Sequence, residues 1–191
     1  MRMDYFSVLF SLENVMMEKK EFLWEKMETE RLNIRRFQQL DCNDLHDILG
    51  DAILMEFTEP PFSLSQTRDF LENFCIRRTP QVAFAVELKA TQKVIGYLLL
   101  KPLDHKGTFE LGFWINRDFW RTGIAFEACQ CLIAHAFLNR SAQKIVAETC
   151  DVKKAVPLLK KLGLRMDHVI LSAMTDNHGQ KRDTYWLSLE K

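Results

Sequence analysis

Glu110-Leu111-Gly112-Phe113-Trp114-Ile115, followed after Asn116-Arg117-Asp118-Phe119 by Trp120-Arg121-Thr122-Gly123-Ile124-Ala125-Phe126-Glu127-Ala128, is the stretch that decides the fold. Its first part closes a β-rich run over residues 108–115. Its second part opens the clearest helical pattern in the chain, residues 122–138, where Ile124, Ala128, Leu132 and Ala136 form one row and Ala125, Cys129, Ile133 and Phe137 another. Two adjacent apolar rows make a broad stripe suited to packing on a sheet. A strand, a short loop and then a helix leave the first helical amides unpaired, with the positive end of the helix dipole behind them. Such a junction is an anion site, and Gly123 lets a phosphate approach the backbone closely. A pyrophosphate-bearing ligand suits it. The glycine spacing does not match a dinucleotide fingerprint or a phosphate-loop lysine motif.

Outward from this junction the elements alternate. Leu32 to Phe37 has the period-two pattern of a half-buried strand. Asp41 is placed to cap a helix through Leu45, Ile48 and Leu49, and Ser63 or Ser65 to cap a second one carrying Phe70, Leu71 and Phe74. Val82 to Leu88 and Val94 to Lys101 pair as a hairpin around Thr91. Beyond the long helix come a strand over 144–150, a helix over 153–162 ended by Gly163 in the position of a left-handed C-cap, and a terminal hairpin, 164–174 and 182–189, turning at 176–179.

The chain has 191 residues, 47% of them hydrophobic and 27% charged, which is globular composition for one domain with a sizeable core. Twenty-six basic residues balance 26 acidic ones, so charge gives no case for a nucleic-acid or membrane-surface partner. No apolar run approaches the length of a membrane-spanning helix. The apolar run Tyr5 to Phe10 follows Asp4, stops at Glu13 and lacks a small-x-small cleavage site, so it does not read as a signal core. The five cysteines (Cys42, Cys75, Cys129, Cys131, Cys150) lack zinc-finger spacing, and the five histidines have no metal-binding pattern. Reduced thiols in a cytoplasmic protein without a metal are expected. Residues 1–27 read as a helical extension, in which Met16, Met17 and Met27 could each begin a shorter chain, and residues 28–191 as the domain.

Several separated pieces together resemble the GNAT N-acetyltransferase family, and within it the branch of ribosomal-protein N-acetyltransferases. They are Glu28-Thr29-Glu30-Arg31-Leu32, the Glu110 to Ile115 strand, the Trp120 to Ala125 loop with Glu127-Ala128, Leu159-Lys160-Lys161-Leu162-Gly163-Leu164, and Arg182-Asp183-Thr184-Tyr185-Trp186. The resemblance covers residues 28–191. Two positions depart from the family: Val152 stands where the branch has a coenzyme-contacting Asn, and Leu159 where many members have a tyrosine general acid. Trp120 also replaces the Gln or Arg that opens the family's loop.

The resemblance implies an α/β fold: a mixed, mostly antiparallel sheet of about seven strands, splayed between the fourth and fifth, with helices on both faces. It implies an acetyltransferase that takes acetyl-CoA as co-substrate, with the backbone of Phe113, Trp114 and Ile115 meeting the pantetheine and Trp120, Arg121, Thr122, Gly123, Ile124, Ala125 and Phe126 the pyrophosphate. The acetyl group would pass directly, in a ternary complex, to a primary amine. A protein or peptide α-amino group leads; a polyamine, amino acid or antibiotic amine is the enzyme alternative, and a non-catalytic acyl-CoA sensor the other. A homodimer is compatible with this reading.

An amine must lose a proton to attack, so a modest base suffices for a group whose pKa is near ~8. Glu110 is the first candidate and Glu148 the reserve. Cys150 is a candidate proton donor to the departing thiolate. Arg31, Arg35 and Arg36 read as a solvated strand face, and Lys153, Lys154, Lys160 and Lys161 as a cluster able to meet the coenzyme's 3′-phosphate.

Overall fold

The computed structural model describes residues 26–105 and 107–191. The extension expected over 1–27 therefore lies outside the described residues except at its end, where Met27 already belongs to the sheet. The strands are β1 (Met27–Glu28), β2 (Leu32–Arg35), β3 (Ala83–Leu88), β4 (Val94–Pro102), β5 (Thr108–Ile115), β6 (Lys144–Thr149), β7 (Arg165–Thr175) and β8 (Lys181–Glu190). The helices are α1 (Cys42–Leu49), α2 (Leu64–Phe70), α3 (Ile124–Asn139) and α4 (Ala155–Lys161), with α2 continuing as a wider turn over Leu71–Ile76.

One eight-stranded sheet has the order β1-β2-β3-β4-β5-β6-β8-β7. The extra strand relative to the sequence reading is the two-residue β1, too short to carry a periodic signal. Every neighbouring pair is antiparallel except β5 and β6. That parallel pair has only three rungs, Thr108 with Lys144, Phe109 with Ile145 and Glu110 with Val146. Beyond Glu110 the two strands part. β6 stays in register with β8 to its end, Thr149 facing Tyr185, and β5 stays with β4, Ile115 facing Gly96. The wedge between them is the splay that the resemblance implies.

Two hydrophobic layers fix the helices on the sheet. Alternation along β3 sends Phe84 and Val86 into the layer built with Leu132, Ile133 and Ala136 of α3, and Ala83 and Ala85 into the layer with Leu45 and Ile48 of α1 and Leu71. The stripe read from sequence on α3 is the buried one: Ile124, Ala128, Cys129, Leu132, Ile133 and Ala136. The helix begins at Ile124 rather than at residue 122, because Gly123 is left-handed (φ 84°) and stands at the N-cap.

Local signals have mixed outcomes. Ser63 caps α2 in a reciprocal capping box with Gln66, and Gly163 adopts φ +96° after α4, both as the sequence implies. Asp41 behaves otherwise. It stands at the N-cap of α1 without bonding its amides; its carboxylate instead accepts from the Gln38 amide at 2.8 Å and pairs with Arg35 at 2.8 Å. Arg35 also pairs with Glu87 at 2.7 Å, and Arg36 bonds Gln81. Arg31 and Arg36 are exposed, as expected of a solvated face, whereas Arg35 is drawn in by Asp41 and Glu87, carboxylates that come within its reach only in the folded sheet.

Candidate active site

The wedge opens into a cleft of about 1360 Å³ bounded by the diverging ends of β5 and β6, the loop before α3, the N-terminal part of α4 and the loop between α1 and α2. Along one wall run Glu110 to Ile115, whose β6-facing backbone has no strand partner beyond Glu110 among the described residues. Trp120 closes the end of that edge by donating its indole N–H to the Ile115 carbonyl at 2.7 Å.

Gly112 and Trp114 cooperate on the opposite face of β5. A Cβ on Gly112 would lie 2.9 Å from the Trp114 ring, so glycine lets that ring fold back along the strand. The ring stacks on Tyr97 with centroids 4.7 Å apart and planes 16° from parallel, and Tyr97 meets Phe70 edge-on at 5.7 Å. This column joins the cleft floor to the core under α2 and holds Trp114 rigidly.

At the α3 end the chain turns through Arg121 (φ 62°) and Gly123 (φ 84°). The first backbone bond of the helix is Glu127 N–H to the Gly123 carbonyl at 3.0 Å, which leaves the amides of Ile124, Ala125 and Phe126 without a backbone acceptor among the described residues. They are free to bind an anion. Lys153, Lys154 and Lys161 line this end, Lys154 lying 4.4 Å from the Trp120 ring centroid and Lys161 4.6 Å from that of Phe126. Cation–π contact holds the ammonium groups near the helix start.

Of the residues singled out from sequence, Phe113, Trp114, Ile115, Trp120, Arg121, Gly123, Ile124, Ala125 and Phe126 line the cleft, as do Glu110, Glu148 and Cys150. Thr122 does not contribute to the lining; its hydroxyl donates to the Phe119 carbonyl at 2.6 Å and ties the loop internally. Val152 is on the surface at 45% exposure, and Leu159 is core at 1%, while its neighbour Leu158 reaches the cleft.

The other end of the cleft carries acid. Glu110 sits on the last rung before the strands part, its carboxylate 3.4 Å from the Lys101 ammonium on β4. Partial burial, reinforced by the nearby charge of Glu110, holds the Glu148 carboxyl above the usual range. Glu59, in the α1–α2 loop, completes an acidic rim. Cys150 donates weakly to the Phe57 carbonyl (3.9 Å) and touches the Met174 sulfur at 3.4 Å. Burial raises its thiol pKa, which favours the protonated form and disfavours a thiolate nucleophile.

The wall made by the α1–α2 loop was not legible beforehand. Asn177, in the β7–β8 turn, donates its side-chain amide to the Met55 carbonyl at 2.8 Å and the Glu59 carbonyl at 3.2 Å. The loop's far side is fixed by Asp51, which pairs with Arg117 at 2.5 Å. Pro60-Pro61 signals a break in the chain, but nothing in the spacing of residues 51–61 signals a partner more than a hundred residues away.

Comparison with known proteins agrees with this geometry. Residues 31–182 match the family model described as Acetyltransferase (GNAT) domain. A Bacillus licheniformis protein named uncharacterized N-acetyltransferase p20 is 29% identical over 176 residues, covering 87% of this chain and 97% of that protein. A GNAT-family acetyltransferase from Bacillus anthracis superimposes with a TM-score of 0.79 at 21% identity, covering 87% of this chain and 98% of that one. RimL, a ribosomal L7/L12 α-N-protein acetyltransferase solved with coenzyme A, gives 0.76 at 17% identity over 87% and 98%. Spermidine N-acetyltransferase from Vibrio cholerae, solved with CoA and spermine, gives 0.74 at 19% over 85% and 96%.

Proposed function

This chain belongs to the GNAT acetyltransferase family, and from that premise we propose that it moves the acetyl group of acetyl-CoA directly onto a primary amine that enters from the acidic end of the cleft. The observation that carries the proposal is the polarity of one continuous cleft. At one end stand Lys153, Lys154 and Lys161 with the α3 amides that have no backbone acceptor among the described residues, Asp151 pairing with Lys154 there at 3.4 Å, and at the other stand Glu59, Glu110 and Glu148.

In this reading the pyrophosphate lies on the amides of Ile124, Ala125 and Phe126, with Trp120, Arg121 and Gly123 shaping the loop. The pantetheine runs along the open edge of Phe113, Trp114 and Ile115 as an added strand would. The departing thiol then points to the fork where Glu110, Glu148 and Cys150 converge. The amine nitrogen attacks the thioester carbonyl, the new C–N bond forms and the C–S bond breaks. One proton leaves the amine and one reaches the coenzyme sulfur.

Glu148 suits the base role better than Glu110, because its carboxyl is raised toward the pKa of an amine and no cation pairs with it among the described residues, whereas Lys101 pairs with Glu110. Cys150, which burial keeps as a thiol and which lines the cleft, would return a proton to the leaving sulfur. Carboxylates as the available bases favour an acceptor of modest pKa, which supports a peptide α-amino group. The acidic rim of Glu59, Glu110 and Glu148 favours a second reading, a small polyamine held by several carboxylates.

Following free thiol while the protein meets acetyl-CoA with peptides and with polyamines, side by side, tests both. Turnover of peptides with kcat/KM at least tenfold above the polyamines supports the first reading, and the reverse supports the second. No thiol release with any amine, despite acetyl-CoA binding, would overturn the catalytic proposal.

A further inference from the structure

An acidic residue sits in the first turn of the helix whose amides are free, and its surroundings are unusual. The Glu127 carboxylate accepts from the Thr29 hydroxyl, from the Arg31 amide at 3.0 Å and from Arg31 Nε at 2.7 Å, and Arg31 Nη2 lies 2.6 Å from it. The remaining guanidinium nitrogen, Nη1, donates to the Thr122 carbonyl at 3.0 Å. The same side chain abuts the loop backbone, since a Cβ on Gly123 would meet Arg31 Nη2 at 3.4 Å. Neither Arg31 nor Glu127 lines the cleft.

A carboxylate at this position favours the helix through its dipole, yet it opposes any anion bound at the same terminus. We propose that Arg31 is a positioning residue for coenzyme binding: its guanidinium neutralises Glu127 and holds the Thr122 carbonyl, so that the first turn of α3 presents its amides and the positive end of its dipole to the phosphates with no unmasked carboxylate beside them. The inference rests on the reading that this turn cradles the pyrophosphate. The hydrogen bonds from Thr29 and Arg31 outweigh the effect of burial and keep the Glu127 carboxyl below its usual range, so the charge that needs masking is present at neutral pH. Lysine cannot reproduce the fork, because one ammonium cannot bond Glu127 through two nitrogens and reach Thr122 with a third.

The test is a double-mutant cycle read with two acyl donors, acetyl-CoA and acetyl-pantetheine, which lacks the phosphates. Arg31→Ala should raise KM for acetyl-CoA roughly tenfold at low salt, with kcat changed less than about threefold, and the effect should shrink as salt rises. Arg31→Ala combined with Glu127→Gln should recover most of the lost affinity, because the carboxylate no longer faces the phosphates unmasked. With acetyl-pantetheine, Arg31→Ala should change kcat/KM by less than about twofold.

If the double variant is no better than Arg31→Ala, or acetyl-pantetheine suffers equally, Arg31 only holds the scaffold and the inference is overturned. Should Arg31→Ala fail to fold in a urea melt, Glu127→Gln alone still decides. Acetyl-CoA affinity kept or improved supports charge masking, and a tenfold loss overturns it. Failure of the wild-type protein to bind acetyl-CoA would refute the underlying site instead.

Discussion

Replacing Gly123 by alanine separates a phosphate cradle from an ordinary turn, because the substitution strains the backbone without filling space. Gly123 has φ +84°, and among the described residues the only atom within 4 Å of an added Cβ is Arg31 Nη2, at 3.4 Å. Steric overlap is thus minor and the cost is conformational, roughly 1–2 kcal/mol for an L-residue held left-handed. At this chain length such a cost lowers Tm by about 2–8 °C. The loop can escape the strain by rotating, but rotation redirects the amides of Ile124, Ala125 and Phe126. Acetyl-CoA affinity measured by calorimetry should therefore fall by about tenfold or more, since each displaced amide forfeits a charge-assisted hydrogen bond.

Gly163 supplies the control. It has φ +96°, an added Cβ there would meet only Leu189 Cδ1 at 3.6 Å, and it lies outside the cleft. Gly163→Ala should lose comparable stability and keep acetyl-CoA affinity within about twofold, the strain being of the same kind at both sites. If Gly123→Ala weakens the coenzyme no more than Gly163→Ala does, the α3 terminus is only a turn and the site assignment fails.

Saturating acetyl-CoA should raise Tm of the wild-type protein, since ligand at 100 times Kd adds about 2.7 kcal/mol to the native state; an unchanged melt would contradict the cleft assignment. Glu148→Gln should lower kcat by roughly a hundredfold and abolish the acid limb of the pH–rate profile, a limb expected above the usual carboxylate value because burial and Glu110 raise the Glu148 pKa; Glu110→Gln should cost less, and the opposite ranking would reassign the base. Arg35→Met should destabilise by about 3 kcal/mol in urea unfolding by leaving Asp41 and Glu87 unpaired. Burial raises the Glu87 pKa, but bonds from Asn33 and Arg35 lower it further, so the wild-type's share of this stability is present above the unfolded carboxyl pKa and is lost as pH falls through the folded one.

The elements that were legible in the chain are those whose signals are local. The α3 stripe, the hairpin of β3 and β4, the capping box at Ser63 and the left-handed Gly163 each follow from residues within about a turn of one another. The α3 terminus was legible for the same reason, since Trp120 to Phe126 is contiguous. What stayed hidden depends on partners distant in sequence. Asp41 suggests a cap by position, and only folding shows Arg35 taking its carboxylate. Arg31 and Glu127 are 96 residues apart, and Asn177 reaches Glu59 across 118. Lys101, which arrives beside Glu110 through antiparallel register with β4, has no signal in the local sequence around Glu110.

The location of the chemistry follows from how the strands are shared. β6 is recruited by β8 over six rungs but by β5 over only three, so the antiparallel partner governs its direction once the parallel pair ends. The departure occurs at Glu110 and Val146, and among the described residues it leaves β5 with one edge satisfied by β4 and the other open. An open edge within a sheet must find other hydrogen-bonding partners, and a ligand with amides of its own can supply them. The same divergence brings Glu148 and Cys150 around the fork from Glu110, and the loop that follows β5 delivers the α3 terminus to the far end. A single change of strand partner thus creates the wedge proposed to take the coenzyme, with the start of α3 at one end and Glu110 and Glu148 at the other.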